Sequence, residues 1–105
     1  MTAKDIILNL PKQATPEQLK GIDTLFHFDL SADDSGTYTV EVANGELSAT
    51  EGMNGTPKCV VSTKGAVLLG LVRGEINPMM AVLTGKVKIS NKEEVMKYAK
   101  LFSLM

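Results

Sequence analysis

The dipeptide Asn44–Gly45, set between two segments of alternating polarity, is the feature that most restricts how this chain can fold. Both central residues of a type I′ hairpin turn need positive φ, which Asn and Gly adopt at little cost. Apolar and polar residues alternate from Thr37 to Ala43 before the turn, and a weaker alternation covers Glu46 to Thr50 after it. A period of two is that of a strand with one buried face. The pattern therefore predicts a β-hairpin.

The rest of the chain divides into short helical and alternating segments around this hairpin. A strand with Phe26, Phe28 and Leu30 on one side precedes it, so the first three strands should form an antiparallel meander. Thr15–Gln18, Asn77–Pro78 and Asn91–Glu94 are each typical of a helix start. Further helices are predicted at 3–10 (ended by Pro11), 15–22, 65–73, 78–84 and after 91, and further strands at 58–63 and 86–90. Because the helices do not alternate strictly with strands, the order favours an α+β fold over a doubly wound one.

Composition limits the classes of protein to which the chain can belong. A length of 105 residues fits a single domain over 1–105. A net charge of −1 argues against nucleic-acid binding, which needs many Lys and Arg against phosphates. The sequence carries no signal peptide or membrane-spanning run, and Ser103–Met105 is no peroxisomal signal, so a cytoplasmic location is expected.

The residue types that carry chemistry are scarce and separated. His27 lies on the polar side of its predicted strand, where we expect it to be solvated or half-buried, and Cys59 lies in an apolar strand, where we expect a buried thiol. Asp33–Asp34 beside Ser and Gly is typical of a solvated turn. The glycines match neither a phosphate-binding loop nor a dinucleotide fingerprint. We therefore expect no enzymatic activity, no metal and no cofactor.

The second half of the chain is unusually rich in apolar side chains for so small a sheet. Met, Val and Leu crowd the predicted helices 65–73 and 78–84 and the terminal helix. Packing against one face of the sheet would account for about half of them. The remainder either complete that core or line a cavity, for which the flexible Met side chain is well suited.

The segment from Gly74 to Ile89 resembles the signature of the sterol carrier protein 2 (SCP2) family. It reads Gly-Glu-Ile-Asn-Pro-Met-Met-Ala-Val-Leu-Thr-Gly-Lys-Val-Lys-Ile, against Gly-x-x-Asn-Pro-x-x-Ala-x-x-x-Gly-Lys-x-Lys-Ile. Phe26–Asp29 and Gly36–Val40 are similar to the first two strands of that family, and the similarity runs from about Leu19 to the end. The chain departs from the family at Pro11, at Tyr38 where Trp is common, and at 90–92.

The resemblance implies an SCP2-like α+β fold, with a mostly antiparallel sheet of five strands, helices over one face and an apolar tunnel between them. Family members bind sterols, fatty acids, acyl-CoAs or phospholipids without chemistry. The apolar positions then expected to contact a lipid are Phe26, Phe28, Leu68, Leu71, Val72, Met79, Met80, Leu83, Met96, Phe102 and Met105.

Two functions remain open at this stage. The first is a lipid-binding or lipid-transfer domain that takes a small apolar ligand and makes transient contact with a membrane surface. The second is a domain of the same fold with a collapsed cavity, which dimerises or docks on a lipid- or quinone-related enzyme. The apolar end of the terminal helix suggests that it gates the tunnel.

Overall fold

The structure is a computed structural model that describes residues 2–98, so the expected lipid contacts Phe102 and Met105 and the suggested gate lie outside the described residues. The strands are β1 (Thr24–Asp29), β2 (Thr37–Ala43), β3 (Glu46–Glu51), β4 (Cys59–Thr63) and β5 (Val87–Ile89). The helices are α1 (Ala3–Leu8), α2 (Leu10–Gln13), α3 (Pro16–Leu19), α4 (Gly65–Val72), α5 (Pro78–Leu83) and α6 (Lys92–Lys97).

One five-stranded sheet runs in the order β3-β2-β1-β4-β5. The hairpin is confirmed, because Ala43 pairs with Glu46 across a turn in which Asn44 and Gly45 have φ of 54° and 77°. Strands β1 and β4 pair in parallel, and the other neighbours are antiparallel. The predicted α+β architecture, with a five-stranded and mostly antiparallel sheet, is therefore confirmed.

The inner face of the sheet carries the apolar core. Phe26 pairs with Val40 and Cys59, so three apolar side chains form one row across β2, β1 and β4. Helices pack over this face and contribute Ile7, Leu10, Leu19, Leu68 and Ala81 to the same buried cluster. Cys59 is buried with a free thiol, as expected.

The outer face is covered in part by the loop between β3 and β4. The Asn54 backbone oxygen lies 2.9 Å from Nε2 of His27, whose side chain is only 5% exposed. Thr39 donates to the Gly52 carbonyl and accepts from the Asn54 amide. The expectation of a solvated or half-buried His27 is wrong, because the polar side of β1 lies under this loop.

Side-chain caps begin most of the helices. Thr15 and Gln18 form the expected reciprocal capping box at α3, and Asn77 accepts from the amides of Met79 and Met80 at α5. The expectation that Pro11 ends a helix over 3–10 is wrong, because the first helix already ends at Leu8 and Pro11 lies within the next one. It occupies the first turn of α2, a position where its missing amide proton costs nothing.

Glu94 behaves differently from a capping-box partner. Asn91 caps α6 through the Glu94 amide as expected, but the Glu94 carboxylate accepts a 2.5 Å hydrogen bond from Thr24 Oγ1. Both side chains are buried, so this bond fastens α6 to the first strand of the sheet.

The predicted turn at Asp33–Asp34 also caps α4. The Asp33 carboxylate accepts from Ser35 and from the amides of Gly65 and Ala66 at 2.9 and 3.1 Å. These hydrogen bonds, with Ser35 first, lower the pKa of Asp33 from 3.8 to about 2. The capping bonds thus join the β1–β2 turn to the start of α4.

No helix within residues 2–98 has the length and apolar character needed to cross a membrane.

Candidate functional site

An apolar cavity of about 400 Å³ lies between the inner face of the sheet and the last three helices. The strands line it with Phe28, Val61, Val87 and Ile89. The helices line it with Leu68, Leu71, Val72, Pro78, Val82 and Val95.

Strand register explains the floor of the cavity. Val61 is paired with Phe28 on one side and with Ile89 on the other, so the three side chains form one row on the inner face. Val87, two residues before Ile89, points to the same face because side chains alternate along a strand. Phe26 is 1% exposed in the core and stacks against Phe28 at 6.4 Å between ring centroids, so it supports the floor from outside the lining.

Helix periodicity explains the cavity roof. Leu68, Leu71 and Val72 follow the i, i+3, i+4 spacing of one face of α4. On α5, Pro78 and Val82 line the cavity, and Ala81 between them is buried in the core. Since Pro78, Ala81 and Val82 also have the i, i+3, i+4 spacing, this face of α5 is turned inward.

Several of the residues expected to contact lipid do not line the cavity. Met79 and Leu83 are 74% exposed, Met80 is 54% exposed and Met96 is 77% exposed. On α5 the cavity is lined by Pro78 and Val82, and not by Met79, Met80 and Leu83 as expected from the sequence. Met79, Met80 and Leu83 form what we call the methionine patch, on the outer side of α5, and Met96 is exposed separately on α6.

The structure thus brings together Phe28, Leu68, Leu71 and Val72 from the expected set. The residues that sequence reasoning missed are Val61, Pro78, Val82, Val87, Ile89 and Val95. A signal existed for two of them. The alternation of Lys86–Ile89 places Val87 and Ile89 on one strand face.

The lining determines what the cavity can do. Every lining side chain among the described residues is apolar, so the cavity offers no proton donor, nucleophile or metal ligand. No group of three or more His, Cys, Asp or Glu residues in 2–98 is placed to hold a metal. A volume within the range of about 300–1,000 Å³ is typical of sites for small molecules. The arrangement can accept an aliphatic chain.

Comparison with solved structures supports the fold. A palmitated SCP2L2 from Aedes aegypti has a TM-score of 0.73 and 14% identity, over 99% of this chain and 95% of that chain. The ubiquinone synthesis protein UbiJ-SCP2 has a TM-score of 0.62 and 13% identity, over 95% of this chain and 85% of that chain.

A third similar structure belongs to a much larger protein. The sec-alkylsulfatase Pisa1 from Pseudomonas sp. has a TM-score of 0.73 and 16% identity, over 88% of this chain. This chain spans only 15% of that enzyme's length, so the similarity concerns one part of it. A search of curated sequences finds no significant match.

The family comparison covers nearly the whole chain. The model of the SCP-2 sterol transfer family matches residues 4–103, a range that includes all five strands and the entire cavity lining. The match, the strand order and the cavity under the helices agree with one another. This chain belongs to the SCP-2 sterol transfer family.

Proposed function

We propose that residues 1–105 act as one domain that binds the aliphatic part of a lipid in the apolar cavity and transfers it between membranes without chemistry. The observation that carries this proposal is the uniformly apolar lining of a cavity of about 400 Å³. The ligand class is that of fatty acids, acyl-CoAs, phospholipids or sterol-like molecules. A continuous tunnel and a cytoplasmic location stay predictions.

Free energies of transfer explain why such a cavity can act as a carrier. Burying one methylene is worth about 0.8 kcal/mol, so a chain of about fourteen carbons resists entering water by roughly 10 kcal/mol. Moving the chain from a bilayer to an apolar cavity exchanges one apolar medium for another. The net change is small, and loading and unloading are both feasible. The palmitated Aedes aegypti structure supports the ligand class, since that protein has the same fold.

The methionine patch supports a transient contact with the membrane surface. Met79, Met80 and Leu83 are exposed on α5, the helix whose opposite side lines the cavity. Full burial of one such side chain is worth about 1.5–3 kcal/mol. Inserting several of them offsets the entropy lost on association without anchoring the protein permanently. Contact through this patch places the cavity next to the bilayer.

Native mass spectrometry of the purified full chain tests the binding proposal. We expect the monomer to carry the extra mass of a bound fatty acid or phospholipid. If the protein is first delipidated, we expect it to gain the mass of palmitate when the two are mixed. A protein that stays free of lipid after mixing with palmitate, a fatty alcohol and a sterol would refute the proposal.

A vesicle-to-vesicle transfer assay tests the membrane contact. The triple variant Met79→Ser, Met80→Ser, Leu83→Ser should lose about tenfold or more in transfer rate, because it removes the patch, and should keep its affinity for lipid. Met53→Ser is the matched control, since Met53 is exposed on the β3–β4 loop away from the cavity. Equal transfer rates for the triple variant and the control would contradict a role of this patch.

The second candidate function is a dimerisation or docking domain that assists a lipid- or quinone-related enzyme. The fold shared with UbiJ-SCP2 supports it, and the methionine patch is the surface that such a partner would cover. A lipid-free homodimer in analytical ultracentrifugation, dissociated by the triple variant, would favour this function. A lipid-loaded monomer would favour the carrier.

A further inference from the structure

A second cavity, of about 520 Å³, opens at the edge of the sheet where β1 and β4 end and β5 begins. Its lining includes Lys64, Lys86 and Lys88, and we call it the lysine groove. The only acidic residue of its lining is Asp29. Three ammonium groups against one carboxylate give the groove an excess of positive charge, although the whole chain has a net charge of −1.

The lysines of the groove have no internal counter-ion. The only ion pair within residues 2–98 joins Lys4 to Glu51, and it lies outside the groove. Asp29 and Lys88 both pair with Ser62, one from each side, so two strand spacings of about 4.8 Å separate their backbones. The Asp29 carboxylate instead accepts from the amide and hydroxyl of Ser31, which lower its pKa and keep it ionised.

The backbone around Lys86 is held firmly by hydrogen bonds. Gly85, with φ of 78°, follows the cap of α5, and the amides of Gly85 and Lys86 donate to the carbonyls of Val82 and Ala81 as in a Schellman motif. The Lys86 carbonyl accepts from Thr63 Oγ1 at 2.7 Å, which fastens it to β4. The backbone position of Lys86 at the groove is therefore fixed. Its ammonium group has no hydrogen-bond or ion-pair partner among residues 2–98.

The lysine groove and the apolar cavity are neighbours that share their walls. On α4, Val67 lines the groove, and the next residue, Leu68, lines the apolar cavity. Thr63 of β4 lines the groove and pairs with Val87 of β5, which lines the apolar cavity, whereas Lys86 and Lys88 flank Val87 in the chain and point to the other face. The two linings therefore meet at the Thr63–Val87 pair and along α4, where the end of an aliphatic chain in the cavity would adjoin the groove.

We propose that the lysine groove binds the anionic headgroup, a phosphate or a carboxylate, of the lipid whose chain occupies the apolar cavity. This inference rests on the proposed function, and it adds that the carrier selects anionic over neutral lipids. The amides at the start of α4 are already taken by Asp33, so the lysine ammonium groups supply the recognition. Because these ammonium groups are exposed, the selection weakens as salt screens them.

Binding of dodecyl phosphate, dodecanol and inorganic phosphate to the full chain tests the proposal, with each lipid kept below its critical micelle concentration. Calorimetry should give about tenfold or more tighter binding of dodecyl phosphate than of dodecanol at low salt. The double variant Lys64→Gln, Lys88→Gln should lose most of that advantage and bind dodecanol as the parent does. Lys12→Gln, Lys20→Gln is the matched control, because it removes the same charge near α2 and α3, which pack at the far edge of the sheet.

Each outcome decides the proposal. Loss of the phosphate advantage in the groove variant alone supports it. Equal affinity of the parent for dodecanol and dodecyl phosphate refutes the headgroup site and leaves the carrier function standing. Inorganic phosphate that binds as tightly as dodecyl phosphate shows a site for free anions and also refutes it. If neither lipid binds, the carrier function fails and the headgroup site fails with it.

Discussion

Enlarging Val82 to Phe should shorten the longest fatty chain that the cavity can hold. A methylene is close in size to a water molecule, which takes about 30 Å³ of liquid volume. The cavity of about 400 Å³ then holds about thirteen methylenes. Affinity should rise about 15-fold with each added pair of carbons from octanoate to dodecanoate and level off beyond.

Val82 lines the cavity, and Phe adds four carbon atoms there, which displace about two methylenes of ligand. In Val82→Phe we therefore expect dodecanoate and longer chains to bind about 15-fold more weakly, with the affinity for octanoate unchanged. Competition against a fluorescent fatty acid measures the series. Met79→Phe is the matched control, because Met79 is on the same helix and 74% exposed. A uniform loss for all chain lengths, or an unchanged profile, would refute the reasoning.

Two further predictions concern stability. The pKa of Asp33 is lowered to about 2 in the folded protein, against 3.8 in the unfolded chain. Its contribution to the free energy of unfolding is therefore complete above pH 3.8 and is lost as the pH falls from about 4 to about 2. Asp33→Asn should lower Tm at neutral pH and flatten the acid-induced fall of Tm in that range, whereas Asp34→Asn should do neither. Thr24→Val removes the donor to the buried Glu94 carboxylate and should cost about 1–3 kcal/mol in urea unfolding. The exposed Thr56→Val is its control, and an equal effect of the two changes would contradict the role given to the buried bond.

Local signals in the sequence were sufficient for most of the fold. The turn at Asn44–Gly45 depends on backbone conformations that only the two residues themselves decide. The helix starts at Thr15 and Asn77 depend on hydrogen bonds over two or three residues. Such features can be predicted because every group that takes part is close in the chain.

The candidate site was harder to predict because it depends on which face of a helix turns inward. All six residues of α5 are apolar, so periodicity cannot separate the inward face from the outward one. The large Met79 and Met80 side chains were therefore predicted to contact lipid, but the smaller Val82 and Ala81 are the residues that face the sheet. His27 illustrates the same limit, since its burial comes from a loop more than twenty residues away in the chain.

The lining of the apolar cavity is unevenly distributed along the chain. Phe28 belongs to the β1–β2–β3 meander, and the other nine lining residues lie between Val61 and Val95. The helices α4, α5 and α6 can therefore separate from the sheet locally while the backbone hydrogen bonds between the strands persist. In the proposed carrier, entry and exit of a ligand then depend on the local stability of these helices, and the sheet stays intact.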